Sequence, residues 1–285
     1  MIMKGKIILI LALLNMCLTA PINIPLNSNN WQLVWGGNQF QYASSANGQK
    51  MSWVGQKVSQ CCSCGVSYDT YSTLVESTNF WARYFKLNIT ASTPDQARQG
   101  SAPCAWEVFW AGFNWRWATQ PEKNSNYIIY KPAETGINGG LELGTMSQTV
   151  GQTFLYSPGT LPQYGALQIG KYYTYNINRG FNSIQLGLNN TYYPDQPNTG
   201  LFDQLGSIML YTEDSSASIS QVSIEFYQTT TRYYSNSTIQ TLANNYLSLE
   251  STIASQVGVS ANKIILTGLQ QLNSTTIIGY FYQNS

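Results

Sequence analysis

Apolar and polar positions alternate with a period of two along most of this chain, in short runs bounded by turn residues, which predicts strands. Trp31 to Trp35 and Phe40 to Ala43 predict a first strand pair across Gly36-Gly37. Met51 to Val58 predicts a further short strand. Phe80 to Thr90 predicts a longer one, with Phe80, Ala82, Tyr84, Lys86 and Asn88 opposing Trp81, Phe85, Leu87 and Ile89, and Arg83 as the exception on the apolar side. Tyr127 to Lys131, Gly139 to Met146 and Thr153 to Tyr156 continue the series. Lys171 to Ile177 and Phe181 to Leu188 flank Asn178-Arg179-Gly180, a hairpin signal. Gly206 to Tyr211 and Gln221 to Tyr227 follow, the latter with Val222, Ile224 and Phe226 on one face. Many short strands with regular turns predict a β-sandwich or barrel over residues 21–228.

One run differs. Cys104 to Ala118 holds Trp106, Trp110, Trp115 and Trp117, half of the eight tryptophans in the chain. Strict alternation sets Trp106, Val108 and Trp110 on one face and Phe109, Ala111, Phe113, Trp115 and Trp117 on the other. Gly112 interrupts it and suggests a bulge or a close backbone approach. Apolar groups on both faces mark a central strand covered on both sides, or one with an aromatic binding face.

After Gln228 the period changes. Ile239, Leu242, Tyr246, Leu249, Ile253 and Val257 recur every three or four residues and predict one amphipathic helix, with Ser237 and Gln240 as a capping box and Gly258 as the stop. Lys263 to Leu269 and Thr275 to Tyr282 predict a hairpin. Residues 229–285 thus form a small α+β unit, too small for a large core of its own, expected to dock on the sandwich or to contribute strands to it.

Composition narrows the chemistry. Lys4 and Lys6, the apolar run Ile7 to Leu14 and Thr19-Ala20 read as a secretory signal peptide over residues 1–20, with an uncleaved anchor as the alternative. No later stretch is apolar enough to span a membrane, so the mature chain is expected to be secreted or at the cell surface. Of 14 basic residues two fall in that leader, leaving 12 against 13 acidic ones. Charged residues are 9% of the chain, and there is no basic stripe for nucleic acid. Histidine is absent, which removes the Ser-His-Asp and Cys-His arrangements and most catalytic zinc sites. Cys61, Cys62, Cys64 and Cys104 remain after the leader. Bonding Cys61 to Cys62, or Cys62 to Cys64, would strain the chain, so one long-range bond to Cys104 is expected, and Cys61–Cys64 with Cys62–Cys104 is the favoured pairing. A four-thiolate zinc site is the rival, disfavoured in an oxidising compartment.

The hairpin Tyr172-Tyr-Thr-Tyr-Asn-Ile-Asn-Arg-Gly-Phe-Asn-Ser-Ile-Gln-Leu, the pair Gly206-Ser-Ile-Met-Leu-Tyr211 and Val222-Ser-Ile-Glu-Phe226, and the strand order around the tryptophan-rich run resemble the concanavalin A-like lectin/glucanase superfamily over residues 80–228. The resemblance implies a jelly-roll-type antiparallel β-sandwich that binds or cleaves polysaccharides. The superfamily's Glu-x-Asp-x-x-Glu run and its lectin-type metal cluster are both missing from this sequence. More faintly, the tail resembles SEA-type extracellular modules, without their Gly-Ser cleavage motif.

The candidate ligand-binding residues are Trp110, Asn114, Trp115, Arg116 and Trp117. Indole faces stack on the C–H faces of sugar rings, while amides and a guanidinium bond the hydroxyls. Glu107 and Glu142 are the acidic residues nearest this region and the weak catalytic candidates, for a pair of carboxylates about 5–10 Å apart hydrolyses glycosidic bonds. Asn88, Asn189, Asn236 and Asn273 each begin an Asn-x-Ser/Thr triplet and are candidate glycan acceptors. The expectation is a metal-independent, cofactor-free, non-enzymatic glycan- or polysaccharide-binding sandwich, with other extracellular proteins as further partners through residues 229–285. The alternatives are a glycoside hydrolase or polysaccharide lyase of the same fold and a structural surface or matrix protein.

Overall fold

The structure, a computed structural model, describes residues 17–36, 39–46, 48–54, 73–92, 109–115, 124–131, 140–147, 149–159, 170–212 and 216–284. The four cysteines of the expected disulfides, Glu107, Arg116 and Trp117 lie outside them, and Trp115 is described in its backbone alone.

The strands form two antiparallel sheets. The back sheet runs β14 (Thr191–Tyr192), β13 (Ser183–Leu188), β12 (Tyr172–Arg179), β7 (Phe85–Ser92), β17 (Ala217–Gln228), β5 (Gly48–Trp53) and β4 (Gln41–Ser45). Two short N-terminal strands, β1 (Cys17–Leu18) and β2 (Ile22–Asn23), also pair with β17, and β15 (Gln196–Pro197) pairs with β13. The front sheet runs β11 (Gly151–Gly159), β10 (Gly140–Ser147), β9 (Ser125–Lys131), β8 (Phe109–Trp115), β16 (Gly206–Thr212), β6 (Thr73–Ala82), β19 (Ile264–Asn273), β20 (Thr276–Gln283) and β18 (Thr230–Ser235). β3 (Trp31–Trp35) also pairs with β6. This is the jelly-roll sandwich that the sequence implies.

The core lies between the sheets, where both contribute every second residue: Phe85, Leu87 and Ile89, Tyr175 and Ile177, and Val222, Ile224 and Phe226 from the back, Phe109, Ala111 and Phe113, Ile128 and Tyr130, and Ile208 and Leu210 from the front. Four predictions need correction. Trp31–Trp35 and Gln41–Ser45 do not pair with each other but join opposite sheets, on β6 and β5. Phe80 to Thr90 is two strands in opposite sheets, and Arg83-Tyr84 is the corner between them, which explains why Arg83 breaks the alternation. The backbone N–H groups of both corner residues donate to Thr267 O of β19. The predicted helix is two helices, α1 (Ile239–Asn244) and α2 (Tyr246–Val257). At the junction the Asn245 side chain donates to Thr241 O at 2.8 Å, competing with the helical ladder. Thr238 rather than Ser237 caps α1, and Gly258 ends α2 in the left-handed conformation, as its sequence suggests.

The C-terminal elements extend the front sheet. β19 pairs with β6 through Phe80, Trp81 and Ala82, and the helices cover β19 and β20 with Ile239, Leu242, Ile253 and Ala254 over Leu266, Leu269, Ile277 and Phe281. A charged clamp fastens α2 to the corner. Arg83 donates Nε and Nη2 to the two oxygens of Asp203 at 2.8 and 2.7 Å, and Nη1 to Glu250 at 3.0 Å. Burial alone would push the Asp203 carboxyl up, but the Arg83 fork, the Tyr84 hydroxyl at 2.7 Å and nearby Arg179 hold it below the usual range.

Among the described residues no helix is long and apolar enough to cross a membrane. Residues 17–19, assigned to the leader by sequence, sit against β17: Thr19 N donates to Phe226 O at 2.9 Å.

Candidate functional site

The two outward faces are built from different residues. On the back sheet the outward positions of β7, β12 and β17 are polar and in register. Ser223, Asn88 and Asn176 form one row, Glu225, Lys86 and Asn178 another, and Gln221, Thr90 and Thr174 a third. Asn176 donates to Asn88 Oδ1 at 2.6 Å and accepts from the Asn190 backbone at 2.8 Å, and the Thr90 and Thr174 hydroxyls meet at 3.0 Å.

The outward face of the front sheet is apolar and aromatic. Leu74 of β6, Met209 and Tyr211 of β16, Trp110 of β8, and Tyr127 and Ile129 of β9 form a cluster drawn wholly from the strands of this sheet, with Val34 and Met146 beside it. The Trp110 ring meets Tyr211 edge-on at 5.4 Å and lies tilted against Tyr127 at 4.8 Å. It is 7% exposed. Two glycines let these side chains lie flat. A Cβ on Gly112 would sit 2.6 Å from Met209 Cε, and one on Gly144 would meet the Tyr127 hydroxyl and lie 2.5 Å from Thr153 O. The close approach predicted at Gly112 is therefore to Met209.

The same strand carries a bulge. Met209 pairs with Gly112 but Ser207 pairs with Trp115, so β8 spends three steps where β16 spends two. Asn114 takes a φ of 56°, which asparagine tolerates. The extra residue breaks the alternation on which the grouping of Phe113, Trp115 and Trp117 rests. Asn114 is fully buried and its amide is committed at both ends. Nδ2 donates to Ala82 O at 2.9 Å and Gln204 O at 2.6 Å. Oδ1 accepts from Asn126 Nδ2 at 2.7 Å and from Arg179 Nη1. Asn114 is thus corrected from a ligand contact to a residue that positions the end of β8. Arg179, expected in a turn, is the last residue of β12 and 1% exposed; burial lowers its pKa to about 10, so it stays charged at neutral pH.

Two carboxylates belong to the outward face. Glu142 of β10 pairs in register with Ile129. Glu76 of β6, absent from the sequence-based candidates, pairs with Met209 and is 4% exposed. Its carboxylate accepts from Ser207 Oγ at 2.5 Å and Gln32 Nε2 at 3.3 Å. Burial pushes its carboxyl above the usual range, against the hydrogen bonds from Ser207 and Gln32. Between β6 and β10 lie β16, β8 and β9. Four strand spacings put Glu76 and Glu142 roughly 19 Å apart along the sheet, beyond the reach of a carboxylate pair.

Tyr127, Tyr211 and Met209 were also missed. Their signal was present, since Tyr127-Ile-Ile-Tyr130 and Ile208-Met-Leu-Tyr211 are apolar on both faces, as the tryptophan run is. Of the four candidate glycan acceptors, Asn189, Asn236 and Asn273 are exposed at turns with Asn88 half-buried in the back-sheet rows.

No protein-family model matches the chain, and no curated protein matches its sequence. Among solved structures, the chain is similar to carbohydrate binding module CBM66 from Bacillus subtilis, at 12% identity over 69% of this chain and 95% of that one, with a TM-score of 0.44. It is similar to the GH16 enzyme of a mixed-linkage glucan locus from Bacteroides ovatus, solved with a G4G4G3G product, at 10% identity over 72% and 99% of the two chains and a TM-score of 0.49. The laminarinase catalytic domain from Thermotoga maritima gives 11% identity, 73% and 97% coverage and a TM-score of 0.48. The likeness is one of chain path.

Proposed function

We propose that this protein is a secreted or cell-surface, metal-independent glycan-binding sandwich that cleaves no bond. The observation that carries the reading is the contrast between the outward faces. A sandwich needs apolar residues on its inner faces alone, and the back sheet keeps to that pattern. The front sheet sets Trp110, Tyr127 and Tyr211 on its outer side, with Gln32, Ser207, Glu76 and Glu142 among its polar neighbours. An aromatic floor with polar groups beside it matches the alternating C–H and hydroxyl surfaces of a sugar chain. Trp115, Arg116 and Trp117, the other candidates of the tryptophan-rich run, are taken on the sequence alone as further contacts to the same ligand. The low charge of the chain suits a neutral ligand, and residues 229–285 offer a second surface to extracellular partners.

The test is a binding screen of secreted protein against neutral glycans and polysaccharides in chelator, with Trp115→Ala alongside. Binding that survives chelation and is lost in the folded variant is expected. Absence of binding across the panel, with Trp115→Ala unfolding the chain, would leave a structural surface protein as the better account.

A glycoside hydrolase is the second reading, and Glu76 is what favours it. A buried carboxyl whose pKa burial raises, beside an aromatic row, is the kind of group that donates a proton to a leaving oxygen. Depolymerisation of a polysaccharide that disappears in Glu76→Gln or Glu107→Gln would establish that reading.

A further inference from the structure

β6 shares one edge between two partners. β3 pairs with Leu74 to Ser77 and β19 with Phe80 to Ala82. The strands part at Thr78-Asn79, and a cavity of about 500 Å³ opens there, which shares no lining residue with the aromatic cluster. It is lined by Asn29 before β3, Asn79 of β6, Ser237 and Thr238 at the start of α1, and Gln271 to Ser274 at the tip of the β19–β20 hairpin. Among the described residues no charged side chain lines it, and Leu272 is the one apolar member.

The fold holds one end of each amide. Asn79 Nδ2 donates to Asn29 O at 2.6 Å and Asn30 Oδ1 at 3.3 Å. Gln271 Nε2 donates to the carbonyls of Asn273 and, at 3.4 Å, Thr276. Asn273 Oδ1 accepts from Thr275 N and Oγ1, both at 3.0 Å. Backbone carbonyls only accept and backbone N–H groups only donate, so these partners fix which way each amide faces. Asn79 Oδ1, Gln271 Oε1 and Asn273 Nδ2 are left with no hydrogen-bond partner among the described residues. So are the hydroxyls of Ser237 and Ser274.

We propose that this notch is a second binding site, for a short neutral oligosaccharide. Oriented acceptors and donors with hydroxyls between them match vicinal sugar hydroxyls, which donate and accept in turn. An ionic ligand would lose its hydration here without a counter-charge, and an apolar one would leave the amides unpaired. Leu272 supplies a surface for a C–H face. The volume falls within the range of small-molecule sites, about 300–1,000 Å³. Two Asn-x-Ser/Thr triplets, Asn236-Ser-Thr and Asn273-Ser-Thr, contribute their central serines to the lining, so the unglycosylated chain is the form to test.

The experiment titrates unglycosylated full-length protein with cello-, laminari-, manno- and chito-oligosaccharides while following the side-chain NH₂ resonances of Asn79, Gln271 and Asn273. Saturable shifts are expected with at least one neutral series. Ser274→Trp, at an exposed turn, should fold and weaken that binding about tenfold or more by filling the notch. Trp110→Ala should leave the shifts in place, which separates this site from the front-sheet floor whatever becomes of that reading. Three results would overturn the proposal: no saturable shift with any neutral series, wild-type affinity in Ser274→Trp, or equal affinity for an anionic oligosaccharide.

Discussion

The outward faces of the two sheets solve the same problem in opposite ways. Each must end the sandwich against its surroundings. The back sheet does so with polar rows, Asn88 to Asn176 and Thr90 to Thr174, whose amides and hydroxyls pair with one another. The front sheet instead lays Trp110, Tyr127, Tyr211 and Met209 against the outer side of its strands, where each is 7% exposed or less, with glycines at 112 and 144 making the room. Polar rows of this kind are what stability and solubility ask for. An aromatic layer asks for something to lie against it, and that difference is the reason to place ligand binding on the front.

The comparison can be broken in four places, in order of expected effect. Trp110→Ala should cost about 3–5 kcal/mol, the range for a buried large aromatic, measured by denaturant melts, and should also abolish glycan binding under conditions where the protein remains folded. Gly144→Val should cost about 1–3 kcal/mol, because the new side chain meets Thr153 O and the Tyr127 ring. A lowered denaturation midpoint with altered near-ultraviolet dichroism of the tyrosines would register it. Asn176→Ala, on the other face, should cost about 1–3 kcal/mol by leaving Asn88 Oδ1 and Asn190 N unpaired. It should leave glycan affinity untouched, and a fall in affinity with stability matched would blur the distinction between the faces.

Glu76→Gln is the smallest change and the one that depends on pH. The Glu76 pKa is raised in the fold, so its contribution to stability is present below the pKa of the unfolded chain and fades as pH rises through the folded one. The amide cannot ionise and keeps an acceptor for Ser207. The variant should therefore match wild type near pH 4 and gain on it by pH 7, read as the difference between their melting temperatures. A difference that is constant with pH would mean that the carboxyl titrates normally.

Much of this architecture is legible in the sequence because strands announce themselves locally. The β12–β13 hairpin, the one-faced Val222, Ile224 and Phe226, and the terminal hairpin follow from period two and turn residues. Which sheet a strand joins does not. Trp31–Trp35 and Gln41–Ser45 look like a pair because they are neighbours, yet their partners β6 and β5 are chosen by side chains that meet across the core. Arg83 was visible as an anomaly, and its meaning as a corner appears once Asp203, 120 residues away, takes its guanidinium.

The candidate site was half legible for the same reason. Trp110 was found because it stands in a conspicuous run, and a strand apolar on both sides was recognised there. Tyr127 and Tyr211 carry the same pattern in less tryptophan-rich company. The Asn114 amide at the bulge is met by Gln204 and Arg179, residues far along the chain, and no local rule foretells those contacts. Glu76 lies between Val75 and Ser77 in a run that gives no hint of a buried carboxyl.

The central claim is that the aromatic front, and not the polar back, meets the ligand. Its most direct test is the affinity of a neutral polysaccharide, in chelator, for wild type, Trp110→Ala and Asn176→Ala, each shown to be folded. Wild type and Asn176→Ala should bind alike and Trp110→Ala should not bind. Equal binding by all three, or loss in Asn176→Ala alone, would contradict the claim.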